Sequence, residues 1–297
     1  MSTTYEAAPD LPEVLAEPRR RGRIGTFVHR YPTIVAGGVL LAAMTLVAIF
    51  APYLGTVDPT ALKPWERLHL PSAEHWFGTD MLGRDIYSRV IFGSRVSLVV
   101  GFSVALLSSL AGTFLGLVSG YIRWLDTPIM RVMDGLMAIP GILLAIALMA
   151  LTQGSVGNVV AAITVTQVPQ VARLIRGVVL SLREQPYVEA AIAAGTRTPK
   201  IIWRHILPNT LAPLSVQATY ICAAAMITEA ILSFIGAGTP PTIPSWGNIM
   251  AEGRSLWQVK PFIVFFPAAF LSVTVLAVNL VGDGLRDALD PRMAKRL

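Results

Sequence analysis

Residues that commonly perform catalysis or bind metals are few in this sequence and lack the spacing that such chemistry requires. The 297 residues include four His and a single Cys, Cys222, with no C-x-x-C pair and no metal-ligand spacing. The four His lie outside the long apolar runs, so no nucleophilic Ser or Cys with a His and an acid is indicated within those runs. We therefore expect no catalytic residue and no metal site.

A nucleotide site of the P-loop type is not expected, because its sequence pattern is missing. The loop G-x-x-x-x-G-K-S/T, whose backbone N–H groups hold phosphates, is absent, and none of the four Lys follows a Gly. The chain is therefore not expected to hydrolyse ATP or to bind a cofactor by itself.

The elements that position the remaining polar residues are membrane spans. Hydrophobic residues make up 54% of the chain and charged residues 14%, against about 25% charged residues in an average soluble domain. A helix needs roughly 20 apolar residues to cross a hydrocarbon core. We predict an all-α membrane protein with six transmembrane helices, at residues 33–54, 96–119, 135–153, 158–180, 211–235 and 262–281.

The distribution of cations predicts the orientation of these spans. Six spans place 17 of the 24 Lys and Arg residues on one side, in both tails and in the loops after the second and fourth spans. Because cytoplasmic loops carry the excess of Lys and Arg, both termini of this multi-pass protein are expected in the cytoplasm. The net charge of +6 then reflects topology, and nucleic acid is not an expected partner.

The spans also set the expected domain boundaries. A cytoplasmic tail (1–32) and the first helix (33–54) precede an external loop (55–95), and a five-helix unit (96–284) precedes a cytoplasmic tail (285–297). Near the end of the external loop, apolar residues such as Ile86 and Val90 alternate with Arg84, Arg89 and Arg95. This alternation predicts an amphipathic helix at the membrane interface.

The segment 183–209, between the fourth and fifth predicted spans, has helix signals of its own. Pro186 suits a first helical turn, and Gly195 suits the residue just past a helix end. Thr198 marks a second start and Pro208 a stop. Helices this short are marginal alone in water, so one face must be covered by the bundle of this chain or by a groove in another protein.

The same segment carries a family signature. EAAIAAG at 189–195, followed by ILP at 206–208, resembles the EAA motif of the membrane subunits of bacterial ATP-binding cassette (ABC) importers. The stretches FGTDMLGRDIYSRVIFGSRVSL, EAILSFIGAGTPPTIPSWG and GDGLRDALDPR are similar to the second, C-type permease of the dipeptide and oligopeptide import systems. The resemblance extends from residue 77 to residue 292.

The resemblance implies a type I importer permease fold in the bacterial inner membrane. It implies that 183–209 is a coupling loop that sits in a cleft of an ATPase. The implied coupling residues are Glu189, Ala190, Ala191, Gly195, Ile206, Leu207 and Pro208. The implied partners are a homologous second permease, two ATPase subunits that bind ATP and Mg, an external substrate-binding protein, the lipid bilayer and a peptide substrate.

Polar residues inside the spans are candidates for a translocation path. Glu229 lies in the fifth predicted span, where a carboxylate is costly and usually faces a cavity or a partner. We expect Glu229 to line the path or a gate, with a structural hydrogen bond as the alternative. Gln167, Gln170 and Asn279 could offer hydrogen bonds to a peptide, or could tie helices together.

Three glycines, Gly112, Gly116 and Gly120, recur every four residues in the second predicted span. Small residues on one face let two helices approach closely in lipid. The glycines are therefore expected to pack against another helix, either within this chain or in a second permease subunit.

Two other classes fit the sequence less well. A stand-alone secondary carrier would show an inverted repeat and more ionisable groups within its spans. An intramembrane enzyme would need a nucleophile with its partners. Within the resembled family the cargo stays open, because dipeptides, longer peptides, glutathione and nickel chelates are carried by the same permease type; a peptide is expected as the commonest.

Overall fold

The computed structural model describes residues 30–289. In that range the ordered elements are helices, and the β-type pairing consists of one isolated bridge between Thr79 and Asp85. The all-α prediction is confirmed. Most of the predicted cytoplasmic tails, at 1–29 and 290–297, lies outside the described residues.

The α-helices follow one another along the described chain. The α-helices are α1 (Pro32–Ile49), α2 (Ile86–Tyr121), α3 (Arg123–Met137), α4 (Gly141–Ala150), α5 (Val156–Arg183), α6 (Pro186–Ala193), α7 (Thr198–Ile201), α8 (Leu207–Phe234), α9 (Trp246–Gly253) and α10 (Phe262–Leu289). Two 3-10 turns lie at Ala51–Tyr53 and Pro64–Glu66, a π-helical turn lies at Ile202–Ile206, and an irregular loop joins α8 to α9.

Four helical segments in residues 30–289 are long and apolar enough to cross a membrane, namely α1, α2, the continuous stretch from α7 to α8, and α10. A fifth is present if α3 and α4 are taken as one bent span. The α5 helix has 28 residues, which is long enough to cross. It includes Gln167, Gln170, Arg173 and Arg176, and composition alone does not identify it as a span. The count of six spans therefore stays a prediction.

The third predicted span, 135–153, is not a single kinked helix, since it covers the end of α3 and all of α4. The α3 helix ends at Met137, and α4 continues at an angle of 88° to it after a short break. The break lies at Pro140, whose ring restricts the preceding residue and which lacks an N–H. The α4 helix has only 10 residues, so it rises about 15 Å, half the thickness of a hydrocarbon core.

The predicted interfacial helix is part of α2 instead of a separate element. The Asp85 side chain accepts a hydrogen bond from the Ser88 N–H at 2.8 Å and caps the N-terminus of α2. Ile86 and Val90 are buried in a small apolar cluster with Trp246 of α9. Arg84 and Arg89 are paired with acids inside the protein, and Arg95 donates to the carbonyls of Ala48 and Ile49. The placement of this stretch at the membrane interface stays a prediction.

The three glycines of α2 face α5. A Cβ added to Gly112 would lie 2.4 Å from the Val171 Cβ, and Cβ atoms added to Gly116 or Gly120 would also collide with α5. Ordinary side chains at these positions would push the two backbones apart. The close approach of α2 and α5 is therefore made within this chain.

Both ends of the described chain lie at the same end of the helix bundle. Gly284, near the end of α10, contacts Thr33 and Ile34 near the start of α1. The α1 and α10 helices are thus antiparallel neighbours. We call the opposite end, formed by residues 50–85 and 236–261, the loop end.

Candidate functional site

The segment 183–209 contains the short helices that its sequence predicts. The α6 helix has Pro186 in its first turn, and it ends in a turn at Gly195, whose φ is +75°. The N–H of Thr196 donates to the Ala191 carbonyl at 3.0 Å, which closes the turn in the manner of a Schellman cap. A φ in this range favours glycine, since a Cβ is strained there.

Pro208 does not end the second helix, in contrast to the sequence prediction. The chain passes from α7 through the π-helical turn directly into α8, where Pro208 occupies the first turn. The N–H of Leu207 donates to the carbonyl of Ile202, five residues earlier. This wider turn makes room for a proline, which offers no N–H and would clash in a regular α-helix.

The segment 183–209 is anchored along one side and open along the other. Val188, Ile201 and Ile206 are fully buried in the main core cluster of the chain. Glu189, Ala190 and Gly195 are exposed, and Ala191 and Leu207 are half-buried. Exposed apolar side chains, Ile192 at 50% and Trp203 at 74%, stand beside them. The bundle therefore covers only part of the segment, and the open part is available to another protein.

The open side carries charges that are unpaired within residues 30–289. Arg197 before α7, Lys200 in α7 and Arg204 in the π-helical turn are exposed and form no ion pair in the described range. Glu189 lies in the first turn of α6, where a negative charge is favoured by the helix dipole. It also lines a groove of about 440 Å³ together with Arg123.

Two ion pairs brace α3 against α5 near this segment. Arg176 binds Asp126 through two hydrogen bonds, Nε–Oδ1 at 2.5 Å and Nη2–Oδ2 at 2.6 Å. Arg173 pairs with Asp134 at 2.5 Å. The two arginines that interrupt the fourth predicted span thus bind acids of this chain. Sequence reasoning missed these pairs, because 39 and 50 residues separate the partners.

Glu229 of α8 is fully buried in the chain and does not face an open cavity. Its carboxylate accepts hydrogen bonds from Ser233 at 2.8 Å and from Ser97 of α2 at 3.4 Å. Ser233 also accepts a hydrogen bond from the Thr239 N–H. These contacts support the structural alternative, because they tie α2, α8 and the following loop together, and they leave no surface of Glu229 for a path.

The other three candidate path residues are more accessible. Gln170 is exposed on α5, and Gln167 and Asn279 are half-buried. The structure does not bring the four candidates together in one cavity. A groove of about 560 Å³ between α5, α8 and α10 is lined instead by Gln217 and Arg286 among others.

At the loop end, a cluster of four charges joins distant parts of the chain. Asp80, buried at 1% exposure, accepts from Arg84 Nε at 2.7 Å and from Arg89 Nη1 at 2.6 Å. Both arginines also bind Glu252 of α9. The spacing of Asp80 and Arg84 could have indicated their pairing, but nothing in the sequence indicates that Glu252, more than 160 residues away, completes the cluster.

These features define a class of protein: a multi-pass helical membrane protein whose short helices α6 and α7 are only partly covered by its own bundle. No group of three or more His, Cys, Asp or Glu in residues 30–289 could hold a metal. Comparison with known proteins then identifies the family. Residues 109–295 match the family described as the inner membrane component of binding-protein-dependent transport systems, and the chain belongs to this family.

Full-length relatives support this assignment. The chain is 51% identical to a probable peptide ABC transporter permease of Sinorhizobium fredii, with 90% of this chain and 91% of the relative covered. It is 45% identical to the dipeptide transport permease DppC of Alkalihalophilus pseudofirmus, with 87% and 86% covered. It is 42% identical to the glutathione transport permease GsiD of Pectobacterium atrosepticum, with 89% and 88% covered.

The fold agrees with the family. An inward-facing MetNI methionine ABC transporter chain aligns with a TM-score of 0.56 at 20% identity, covering 68% of this chain and 96% of that chain. The protein thus has the type I ABC importer permease fold and is a multi-pass component of the inner membrane. As a permease subunit it is a membrane component instead of a catalytic one, and its family works with a partner permease, ATPases and a binding protein.

Proposed function

We propose that this chain forms half of the translocation pore of an ATP-driven importer of dipeptides or oligopeptides. Relatives named as peptide and dipeptide permeases cover nearly the whole chain at 45% identity or more. This is the observation that supports a peptide cargo. Glutathione, itself a small peptide, is a second candidate because a glutathione permease is 42% identical.

The energy for transport is proposed to come from two ATPase subunits that bind ATP and Mg. The chain has no G-x-x-x-x-G-K-S/T loop of its own. The segment 183–209, which we call the coupling segment, would lie in a cleft of an ATPase, with Glu189, Ala190, Ala191 and Gly195 at the contact. Its open side supports this role, and its anchored residues, Ile206 among them, would pass the motion to α8. Leu207 and Pro208 belong to the same junction.

The remaining partners follow from the ends of the bundle. The tails and the coupling segment are proposed to lie in the cytoplasm, and the loop end is proposed to receive an external substrate-binding protein. A homologous second permease would complete the pore. Gln170 is exposed and is proposed to face the path, whereas Gln167 and Asn279 are half-buried and lie nearer the helix contacts. An uncharged amide can form hydrogen bonds with a peptide backbone and still release it.

The coupling proposal is tested with Ala190→Asp in the complex of this chain with its partner permease, ATPases and binding protein in lipid nanodiscs. Ala190 is exposed on α6, so the substitution leaves the bundle intact. The new carboxylate would be buried in the ATPase cleft without a partner. We therefore expect the variant complex to lose most of its binding-protein-stimulated ATP hydrolysis, or to lose the co-purifying ATPases.

Ala73→Asp is the matched control, since Ala73 is also exposed but lies in the loop end. It should retain ATPase co-purification. Wild-type stimulation and assembly in Ala190→Asp would show that α6 is not the ATPase contact.

A further inference from the structure

Two grooves lie on opposite faces of α8. The first, of about 560 Å³ between α5, α8 and α10, is lined by Gln217, Tyr220 and Arg286 among others, and we call it the polar groove. The second, of about 540 Å³ between α8 and the helices α1, α2 and α10, has no charged side chain and no amide in its lining within the described part of the chain. Its hydroxyls on α8, from Ser215 and Thr219, donate to backbone carbonyls of the same helix. We call this second groove the apolar groove.

The polar groove lies on the side of the bundle that carries the candidate path amides. Residues three, four or seven positions apart share one face of a helix. Gln170 precedes Leu174 of the polar groove by four positions, and Gln167 precedes it by seven. Asn279 precedes Arg286 by seven positions on α10. The amides and the polar groove therefore form one polar side of the bundle.

The contrast between the two grooves indicates what each one faces. Lipid tails offer no hydrogen bonds, so amides and charges on a span face a protein partner or a water-filled cavity. The apolar groove suits lipid, whereas the polar groove suits the water of a transport path. Ala212 and Pro213, near the start of α8, line the polar groove together with Leu289 at the end of α10. The polar groove therefore lies at the end of the bundle that carries the coupling segment.

Two opposite charges lie side by side at the polar groove without forming an ion pair. Asp283 and Arg286 are both exposed and three positions apart on α10, and neither forms an ion pair in residues 30–289. The Tyr220 hydroxyl donates to Asp283 Oδ1 at 2.6 Å, which holds this carboxylate against α8. A carboxylate has about four lone-pair sites and a guanidinium has five donors, so both groups keep hydrogen-bonding capacity for a ligand.

The spacing of these charges matches the two ends of a dipeptide. Cβ atoms three positions apart on a helix are about 5–6 Å apart, and two extended residues span at most about 7 Å. A guanidinium binds a carboxylate through two parallel hydrogen bonds, and a carboxylate accepts hydrogen bonds from an ammonium group. The volume of the polar groove also lies within the range of about 300–1,000 Å³ that is typical of small-molecule sites.

We propose that Asp283 and Arg286, with Tyr220 as a brace, bind the ammonium and carboxylate ends of a dipeptide as it leaves the path toward the cytoplasm. A longer peptide reaches this pair of charges with one end only, so the subsite favours dipeptides. The inference rests on the proposed function and adds to it a contact site and a narrower substrate class.

Cysteine labelling tests whether the polar groove faces water. Gln217→Cys and its neighbour Ala218→Cys, both at half-buried positions, are placed in a Cys222→Ala background in the assembled complex in lipid nanodiscs. Ala218 lines the apolar groove and is the matched control. A charged maleimide reacts with a thiolate in water. Gln217→Cys should therefore be labelled, and Ala218→Cys should stay unlabelled.

Uptake by the complex in proteoliposomes, with ATP inside, tests the ligand. A labelled dipeptide is compared with its C-terminal amide, which lacks the carboxylate, at saturating binding protein. Arg286→Gln should reduce the preference for the free carboxylate about tenfold, the effect of losing a hydrogen bond between charged groups. Asp283→Asn, whose amide oxygen can still accept from Tyr220, should reduce the preference for a free amine over an N-acetyl dipeptide.

Arg131→Gln is the control for the charge variants, because Arg131 is exposed on α3 and forms no ion pair in the described range. It should keep the wild-type preferences. The binding protein is the same throughout, so its own selectivity cancels when each variant is compared with the wild type. Co-purification of the ATPases shows that each variant complex is assembled.

Equal labelling of Gln217→Cys and Ala218→Cys, or a wild-type preference for the carboxylate in Arg286→Gln, would overturn the subsite. If the wild-type complex still takes up dipeptides in that case, the proposed importer function stands. If the wild-type complex takes up no dipeptide, the proposed function and the subsite fail together.

Discussion

Individual buried charges hold the loop end to the bundle. Arg89 is 1% exposed and binds both Asp80 and Glu252, so it joins the loop before α2 to α9. Removing one arginine from such a cluster leaves the negative charge of a buried acid only partly balanced. With two arginines and two acids the cluster is neutral, and the loss of any one member leaves a net charge.

Arg89→Met should lower the free energy of unfolding by about 3–5 kcal/mol, because Asp80 and Glu252 then share Arg84 alone. Denaturant unfolding in detergent, followed by circular dichroism, measures the change. Arg173→Gln is the comparison, since Arg173 and Asp134 are 52% and 58% exposed, and it should cost about 1 kcal/mol or less. Equal effects of the two substitutions would argue against a buried charge cluster.

Gly112 is a second residue with a specific structural requirement. In Gly112→Ala, the new Cβ would lie 2.4 Å from the Val171 Cβ, and the α2–α5 contact must open. Overpacking of this kind costs about 1–3 kcal/mol. Gly177→Ala, in α5 with no atom within 4 Å, should be neutral or stabilising. Thermal unfolding of both variants provides the measurement, and a stable Gly112→Ala protein would contradict the close packing.

At the scale of elements, the end of α6 depends on one turn. In Gly195→Ala, the new methyl group meets no atom within 4 Å, but φ of +75° is retained only with strain. The strain is about 1–2 kcal/mol. We expect faster hydrogen exchange at Thr196, whose N–H closes the turn, with global stability changed little.

Gly38→Ala, in α1 and equally free of neighbours, is the control for this turn. It should leave the exchange of Thr196 unchanged. If Gly195→Ala also left the hydrogen exchange of Thr196 unchanged, a side chain at residue 195 would not strain the turn.

The elements differ in how far the sequence predicts them. The α6 helix and its end at Gly195 follow from local signals, since Pro and Gly act on the backbone within a few residues. The right-angle break before α4 and the passage of the chain through Pro208 could not be predicted, because each depends on how neighbouring helices pack. The π-helical turn at Ile202–Ile206 shows that tertiary contacts can absorb a proline that local rules read as a stop.

The candidate site residues also divide into those that a local motif predicts and those that depend on long-range packing. The EAA-type residues, recognised by their motif, lie in a partly open segment. Glu229 was expected to line the path or a gate, with a structural hydrogen bond as the alternative, and its contact with Ser97 of α2 supports the alternative. No pattern in the sequence pairs these residues, which are 132 positions apart. Long-range partners were likewise missed for Arg89 and Arg176.

At the scale of the whole molecule, the coupling segment and the loop end are proposed to lie on opposite sides of the membrane. Single cysteines at Arg197 and Ala73, both exposed, test this in a Cys222→Ala background. In intact cells, a maleimide that cannot cross the inner membrane should label Ala73→Cys and spare Arg197→Cys. Labelling of both, or of Arg197→Cys alone, would reverse or invalidate the topology.

The central claim is that this chain transports only as part of an ATP-driven complex. The most direct test is the uptake of a labelled dipeptide into proteoliposomes that hold this chain with its partner permease and ATPases, with binding protein outside and ATP inside. The account predicts uptake that requires ATP and stops when this chain is omitted. Uptake by this chain alone, driven by an ion gradient without ATP, would contradict the account and identify a secondary carrier.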